Sequence, residues 1–435
     1  MEWTRNKTFT VVVNVCRLVL SLVLVVSGLV KAFDPVGSMY KLNEYASLFA
    51  PGFFSEDMLM VLGIVQAEFE FLLGIFLFMG VYRKMVAYLA PAAMLFFTAL
   101  TAVIYFNGGI EDCGCFGEVL VLSNGETLAK NVFLLLLSLV VMFGRKRFVC
   151  HISSGSRWMV TLFSLFYIGS VVLLSLSHLP VVDFGQYSVG TDLRGMTRGT
   201  PDEYRVIYAY EHEGDTCELP EGECPGSAWT SVGARSELVK EGVPPLIEGF
   251  SVVDWENDND VTDVLLADTG YVCLVAIERV EEAEISRVDK INDMYDYCLD
   301  RDVSFYVTTA SDDEEVEMWC KRTGAEYMIY WSDEQVLRNM IRSNPGVLLL
   351  KNGVIVGKWN VSDLPAVEQL TQSPTGMPDG LPSLVERMQG WRFWSVLLVL
   401  PLLFISLFDA TAYRKAIRSV PSAEGEECKN ENLDK

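Results

Sequence analysis

Apolar residues fall along this chain in long blocks, not in the short alternating runs of an ordinary soluble core. Six blocks approach the ~20 residues that cross a bilayer: 8–30, 58–81, 85–106, 128–143, 158–179 and 393–407. The region between the last two blocks has a different rhythm. From about residue 265, short β-branched runs alternate with amphipathic stretches. Residues 271–277 predict a strand. Residues 284–299 carry Ile285, Val288, Ile291, Met294, Tyr295 and Cys298 at helical spacing. A strand at 304–308, an acid-capped helix at 312–321 and a strand at 326–331 follow. Asn344-Pro345-Gly346 then leads into a strand at 347–350, an Asn352-Gly353 turn, a strand at 354–359 and a helix from Pro365. Residues 182–264, rich in proline and glycine, predict short strands and turns.

Charge orients this pattern. Arg5 and Lys7, Arg83 and Lys84, Arg145, Lys146, Arg147 and Arg157, and Arg414, Lys415 and Arg418 all fall on one side if the six spans alternate. The positive-inside rule makes that side cytoplasmic, together with both termini. The first span has no small-residue cleavage site after it and reads as an anchor. The chain's net charge is −23, yet residues 182–388 hold 40 acidic and 16 basic residues, a net −24. The acidity therefore belongs to one exported segment, which would repel a nucleic acid. The implied organisation is a membrane domain at 1–145, a cytoplasmic linker and fifth span at 146–181, and an exported extension at 182–264. An α/β domain at 265–375, a linker and sixth span at 376–410 and a cytoplasmic tail at 411–435 complete it.

Candidate chemistry concentrates at Asp112-Cys113-Gly114-Cys115-Phe116-Gly117, between the third and fourth spans. Cα atoms two residues apart approach to about 5.5 Å in a tight turn, within the range of a disulfide. Gly114 supplies the backbone freedom so small a ring needs, and a strained, exposed disulfide is a reactive one. Lys31 and Lys130-Asn131 lie at the same level, where an ammonium would favour a thiolate or simply reach for the interface. Asp112 would oppose a thiolate if ionised, or shuttle its proton. Inside the spans, Arg17 is at a depth to pair with Glu70 or Glu68, either as a structural ion pair or as a proton or quinone-headgroup site. Zinc at Cys113 and Cys115 is not expected, because it wants four ligands at wider spacing and His151, His178 and His212 offer no matching pair. Cys113, Cys115, Cys217, Cys224, Cys273, Cys298 and Cys320 fall on the exported side, Cys16, Cys150 and Cys428 on the other. Cys217 and Cys224 flank a turn-rich stretch and are candidates for a local disulfide.

Arg17-Leu18, then Val26-Ser27-Gly28-Leu29-Val30-Lys31-Ala32-Phe33-Asp34-Pro35, resembles the first helix of the MauE/DoxX group of membrane proteins. Asp112 to Gly117 followed by Lys130-Asn131 resembles that group's cysteine loop and fourth helix, so the likeness spans about 8–145. It implies a four-helix membrane bundle associated with extracytoplasmic thiol redox. In one branch that means maturation of a disulfide-rich enzyme subunit, in another a quinone-linked oxidoreductase subunit. Residues 265–375 resemble the thioredoxin superfamily, with Pro345 at the position of its cis-proline loop, a partner-binding edge. The superfamily's Cys-x-x-Cys has no counterpart, since Glu278-Arg279-Val280-Glu281-Glu282-Ala283-Glu284 stands there. Cys273, Cys298 and Cys320 read as core residues.

The expectation is therefore a multi-domain protein of the bacterial inner membrane. It has a MauE/DoxX-like four-helix bundle, two further membrane helices and an α/β thioredoxin-like domain, with residues about 182–390 periplasmic. Cys113 and Cys115 would exchange electrons with an extracytoplasmic thiol or disulfide protein, or with a quinone, the one cofactor that the reading suggests. A non-catalytic scaffold whose thioredoxin-like domain binds a partner is the alternative. A transporter or quinone-binding subunit built on Arg17, Glu68 and Glu70 is a third.

Overall fold

A computed structural model describes residues 2–108, 114, 117, 120, 122–200, 203–212, 215–220, 226, 229–255, 257–370, 372–373, 375–380 and 390–419, without the side chains of 2–6, 380 and 412–419. The chain divides into two compact units, Met1–Gly185 with Leu381–Lys435, and Gln186–Gly380.

The first unit is helical: α1 (Glu2–Phe33), α2 (Pro35–Phe49), α3 (Glu56–Met79), α4 (Arg83–Asn107), α5 (Asn124–Phe143) and α6 (Arg157–Ser177), joined by a last helix, Trp391–Ser419. All of these except α2 contain a stretch long and apolar enough to cross a membrane, six in all among the described residues. Local chemistry sets their ends. Asp34 caps α2 by accepting from the Gly37 amide at 2.8 Å, with Pro35 in its first turn. Ser123 and Glu126 form a capping box on α5. Gly80 closes α3 at φ 71°, a conformation that favours glycine. The helix α2 is absent from the sequence-based expectation, since its mixed composition matches neither a span nor a simple amphipathic stripe.

Two glycines bring α1 and α3 together. A Cβ on Gly28 would lie 2.6 Å from the Phe71 amide nitrogen, and one on Gly74 would lie 2.7 Å from that of Val25. Backbone contact of this kind replaces the hydrophobic drive that helices lack in lipid. The loop after α5 folds onto α1: Asn14 Nδ2 donates to the Arg147 carbonyl at 3.1 Å, and the Val149 amide donates to Asn14 Oδ1 at 3.1 Å. Tyr82 and Thr161 share a hydrogen bond at 3.2 Å. The α3–α4 and α5–α6 connections, with Arg83, Lys84, Arg145, Lys146, Arg147 and Arg157, thus gather at one end of the bundle. The last helix is tied in at two levels. The Tyr167 hydroxyl donates to the Trp394 carbonyl at 2.9 Å, and Asp409 accepts from the Ser153 amide and the Ser153 and Ser156 hydroxyls at 2.8, 2.6 and 2.5 Å.

The second unit contains α7 (Leu193–Met196), β1 (Glu203–His212), β2 (Asp215–Pro220), β3 (Thr230–Lys240), β4 (Val253–Asp254), β5 (Asn259–Asp260), α8 (Thr262–Ala267) and β6 (Tyr271–Ile277). It continues with α9 (Asp289–Leu299), β7 (Ser304–Thr309), α10 (Asp313–Thr323), β8 (Ile329–Trp331), α11 (Glu334–Met340), β9 (Gly346–Lys351), β10 (Val354–Asn360) and α12 (Val367–Leu370); the last membrane helix is therefore α13. Strands β1 to β3 form a separate antiparallel sheet, order β2-β1-β3. The others form one sheet in the order β10-β9-β6-β7-β8-β4-β5. Within it β6, β7 and β8 run parallel, and β9, β10, β4 and β5 pair antiparallel. The β6 run from Val272 to Ile277 is buried throughout, as a strand covered on both faces must be. Asn352 and Gly353 both adopt positive φ in the tight β9–β10 turn. The helix expected over 284–299 begins only at Asp289, because the residues before it are drawn into turns by hydrogen bonds such as Glu284 N to Asn344 O at 2.9 Å. The helix expected from Pro365 is the four-residue α12.

Candidate functional site

The membrane unit contains a cavity of about 70 Å³ whose lining combines charge with apolar surface. It lies among α1, α2, α3, α4 and α5, with Leu24, Met94, Phe97 and Leu134 on its apolar wall. Lys31, Lys41, Lys130, Glu70, Gln66, Tyr45, Thr101 and Asn131 supply the polar lining, and Gly114 completes it.

The charge is organised around Glu70. Lys31 Nζ donates to Glu70 Oε2 at 2.9 Å and to Ser27 Oγ at 2.8 Å, while Gln66 Nε2 donates to Glu70 Oε1 at 2.8 Å. The two charged side chains are 10% and 3% exposed, so water contributes little to either. Both carboxylate oxygens are bound, as a charge buried this deeply requires. Asn131 is buried and donates to Thr101 Oγ1 at 2.8 Å, joining α5 to α4. From α2, Lys41 reaches Glu44 at 3.0 Å. Gly114 stands at φ 55°, and a Cβ there would lie 2.9 Å from Lys41 Cγ.

This arrangement corrects the pairing expected inside the spans. Arg17 meets neither Glu70 nor Glu68. Its guanidinium donates to the Val149 carbonyl at 2.8 Å and lies 5.2 Å from the centre of the Phe148 ring. The reason is register. Close packing at Gly28 and Gly74 sets Lys31 level with Glu70, and sets Arg17 beside Gly80. Glu68, two residues along α3, points to another face of that helix and is half-buried. Lys31 is thereby engaged by a carboxylate, and is not extended toward an interface. Lys130 and Asn131 line the cavity with it.

Asp112, Cys113 and Cys115 lie outside the described residues, as does Cys224. Cys217 is a free thiol on β2. Sequence reasoning missed Lys41, Tyr45, Gln66 and Thr101. Lys41 and Tyr45 sit on the unforeseen α2, and Gln66 was legible only as the residue one turn before Glu70.

A second polar cluster occupies the carboxyl ends of β6 and β7. Arg338 bridges Glu278 and Glu334 at 2.5 and 2.6 Å, and Arg279 bridges Glu334 and Glu281 at 2.8 and 3.2 Å. Ser311 Oγ donates to Glu281 at 2.9 Å. Burial alone would raise the Glu281 carboxyl, but its own backbone amide, Ser311 and Arg279 outweigh it and hold the group below its ordinary value. Glu334 and Glu281 in turn push the Arg279 guanidinium upward. Asn344 donates from its side chain to the Arg279 carbonyl at 2.9 Å, and the Asn344–Pro345 peptide that follows is cis. Cys273 on β6 and Cys298 on α9 are both buried. A hydrogen bond with Cys298 that favours the protonated thiol, then burial, raise Cys273 well above its usual value, which leaves it a poor nucleophile.

Residues 9–144 match the family described as methylamine utilisation protein MauE. This segment is similar to MauE. It covers about a third of the chain and contains the whole cavity lining. No curated protein and no solved structure matches the chain. The MauE-like segment ends with α5, so α6, α13 and the second unit lie outside the likeness.

Proposed function

We propose that this chain is an inner-membrane component of extracytoplasmic thiol–disulfide exchange, with Cys113 and Cys115 as its reactive pair. The observation that carries the reading is the position of Gly114. The residue covalently between the two cysteines lines a cavity with Lys31, Lys41, Lys130 and Glu70. A thiolate is favoured near ammonium groups, and a carboxylate–ammonium pair can pass on the protons that thiol oxidation releases. In this scheme one cysteine thiolate attacks a partner disulfide and forms a mixed disulfide. The second thiolate then displaces the partner, which leaves as a dithiol, while the Cys113–Cys115 pair becomes the disulfide. Two electrons and two protons supplied by a second, reduced dithiol partner, which leaves as a disulfide, or by a quinol reached through the bundle, which leaves as a quinone, would reset it. The basic connections gathered at one end support a cytoplasmic assignment for that end and an exported one for residues about 182–390.

The second unit supports a recognition role. Its strand order, with a buried β6 between parallel β7 and antiparallel β9, supports the thioredoxin-like reading of this unit. No cysteine stands at 278–284, so this unit would hold a partner and leave the chemistry to the membrane.

Trapping tests the reading. Cys113→Ala or Cys115→Ala in cells is expected to capture a partner as a mixed disulfide that reductant releases. If neither variant captures anything, and the native pair never changes redox state, the scheme is wrong. One observation favours a scaffold instead: the interlocked ion pairs of Glu278, Arg338, Glu334, Arg279 and Glu281 fill the sheet end where a thiol enzyme would hold its cysteines. Normal function in the double alanine variant would select that reading.

A further inference from the structure

Glu68 is a carboxylate within the bundle for which, among the described residues, the chain's own packing gives no account. It lies in the middle of α3, about 17 Å from either end at ~1.5 Å per residue. Its side chain is half-buried, and among the described residues nothing donates to it or pairs with it. Val65 and Val61, one and two turns before it, are exposed and apolar, as a surface facing lipid should be, while Phe71 and Ile75 on the turns after it are buried. Glu70, two residues on, faces the cavity and has both oxygens bound, so the two carboxyls are in opposite situations. An ionisable group at the bilayer midplane is costly unless it is neutral or finds a partner, and such groups face the inside of an assembly.

We propose that Glu68 marks the interface between two copies of this chain, which meet through α3 in the membrane. A protonated carboxyl is its own complement, offering one donor and one acceptor, so two of them close a ring of two hydrogen bonds. A twofold axis along the membrane normal brings identical residues together at identical depth, so Glu68 meets Glu68 without any further adjustment. The alternative complement, a cation, is not available on a second copy. The basic residues of the spans stand near span ends, as Arg83, Arg157 and Arg392 do, are buried, as Arg17 is, or line the cavity, as Lys31 and Lys130 do.

Subunit counting by photobleaching of the full chain, in phosphatidylethanolamine–phosphatidylglycerol vesicles over a range of protein-to-lipid ratios, tests this. The wild type is expected to bleach in two steps. Glu68→Gln, whose amide is also self-complementary, should retain the dimer, and Glu68→Leu should weaken it at least tenfold. Glu68→Leu puts an apolar side chain on a half-buried position of a membrane helix, so it should still insert and fold, which its tryptophan fluorescence and monodispersity in detergent will show. A monomeric wild type, an undiminished dimer in Glu68→Leu, or equal loss in Glu68→Gln and Glu68→Leu would each overturn the proposal.

Discussion

At the scale of single residues, the pair of Lys31 and Glu70 governs the cavity. Breaking a buried ion pair by removing one partner leaves an uncompensated charge and costs about 3–5 kcal/mol, whereas replacing both by apolar groups is often close to neutral. Glu70→Leu is therefore expected to lower the thermal midpoint of the detergent-solubilised protein sharply, and Lys31→Met to do the same. The double substitution should recover most of the loss, and scanning fluorimetry reads all three. If the double variant is stable yet no longer traps a partner, the pair has a role beyond packing. Gly114 yields a second prediction. A side chain there meets Lys41 and must hold a positive φ, which costs about 1–3 kcal/mol in a non-glycine residue. Gly114→Val should reduce mixed-disulfide capture while Gly117→Ala, further from Lys41, reduces it less.

At the scale of elements, the contact of α1 with α3 positions everything in the cavity. Gly74→Leu would drive a side chain into the Val25 backbone, so Lys31 and Glu70 would lose their common level. The expected outcome is a destabilised bundle, read as protease sensitivity of the α3–α4 connection. In the sheet, the Glu281 carboxyl titrates below its ordinary value of about 4.5, with burial opposing and the amide, Ser311 and Arg279 prevailing. A group with a depressed folded value stabilises above its unfolded value, and that contribution fades as pH falls through the folded one. The midpoint of chemical unfolding should therefore drop below about pH 4.5, and drop less steeply in Glu281→Gln. Elements were also where reading the chain succeeded best. Strand β6 matches its expected span because a fully buried strand must be apolar at every position. Helix α9 starts five residues late because Glu284 hydrogen-bonds to Asn344, sixty residues away, in place of its own turn.

At the scale of the molecule, the acidity belongs to the stretch that contains the second unit. Residues 182–388 carry a net −24, and like charges on one domain repel. Salt screens that repulsion over a Debye length of ~10 Å at 0.1 M. Raising salt from 10 to 300 mM should increase the melting temperature of the second unit. A fall would mean that its ion pairs, such as those of Arg279 and Arg338, outweigh the repulsion.

The number of spans, the place of β6 and the β9–β10 turn follow from the sequence by itself, since apolar length, apolar run and an Asn-Gly step are local properties. So does the candidacy of Lys31, Glu70, Lys130 and Asn131, because a polar residue in an apolar block stands out without any fold. Which of them meet was decided only in three dimensions. By depth Arg17 was expected to reach Glu70 or Glu68, and Lys31 to stand level with the cysteine loop. Two glycines on facing helices, Gly28 and Gly74, set the register that gave Glu70 to Lys31 and left Arg17 to the Val149 carbonyl.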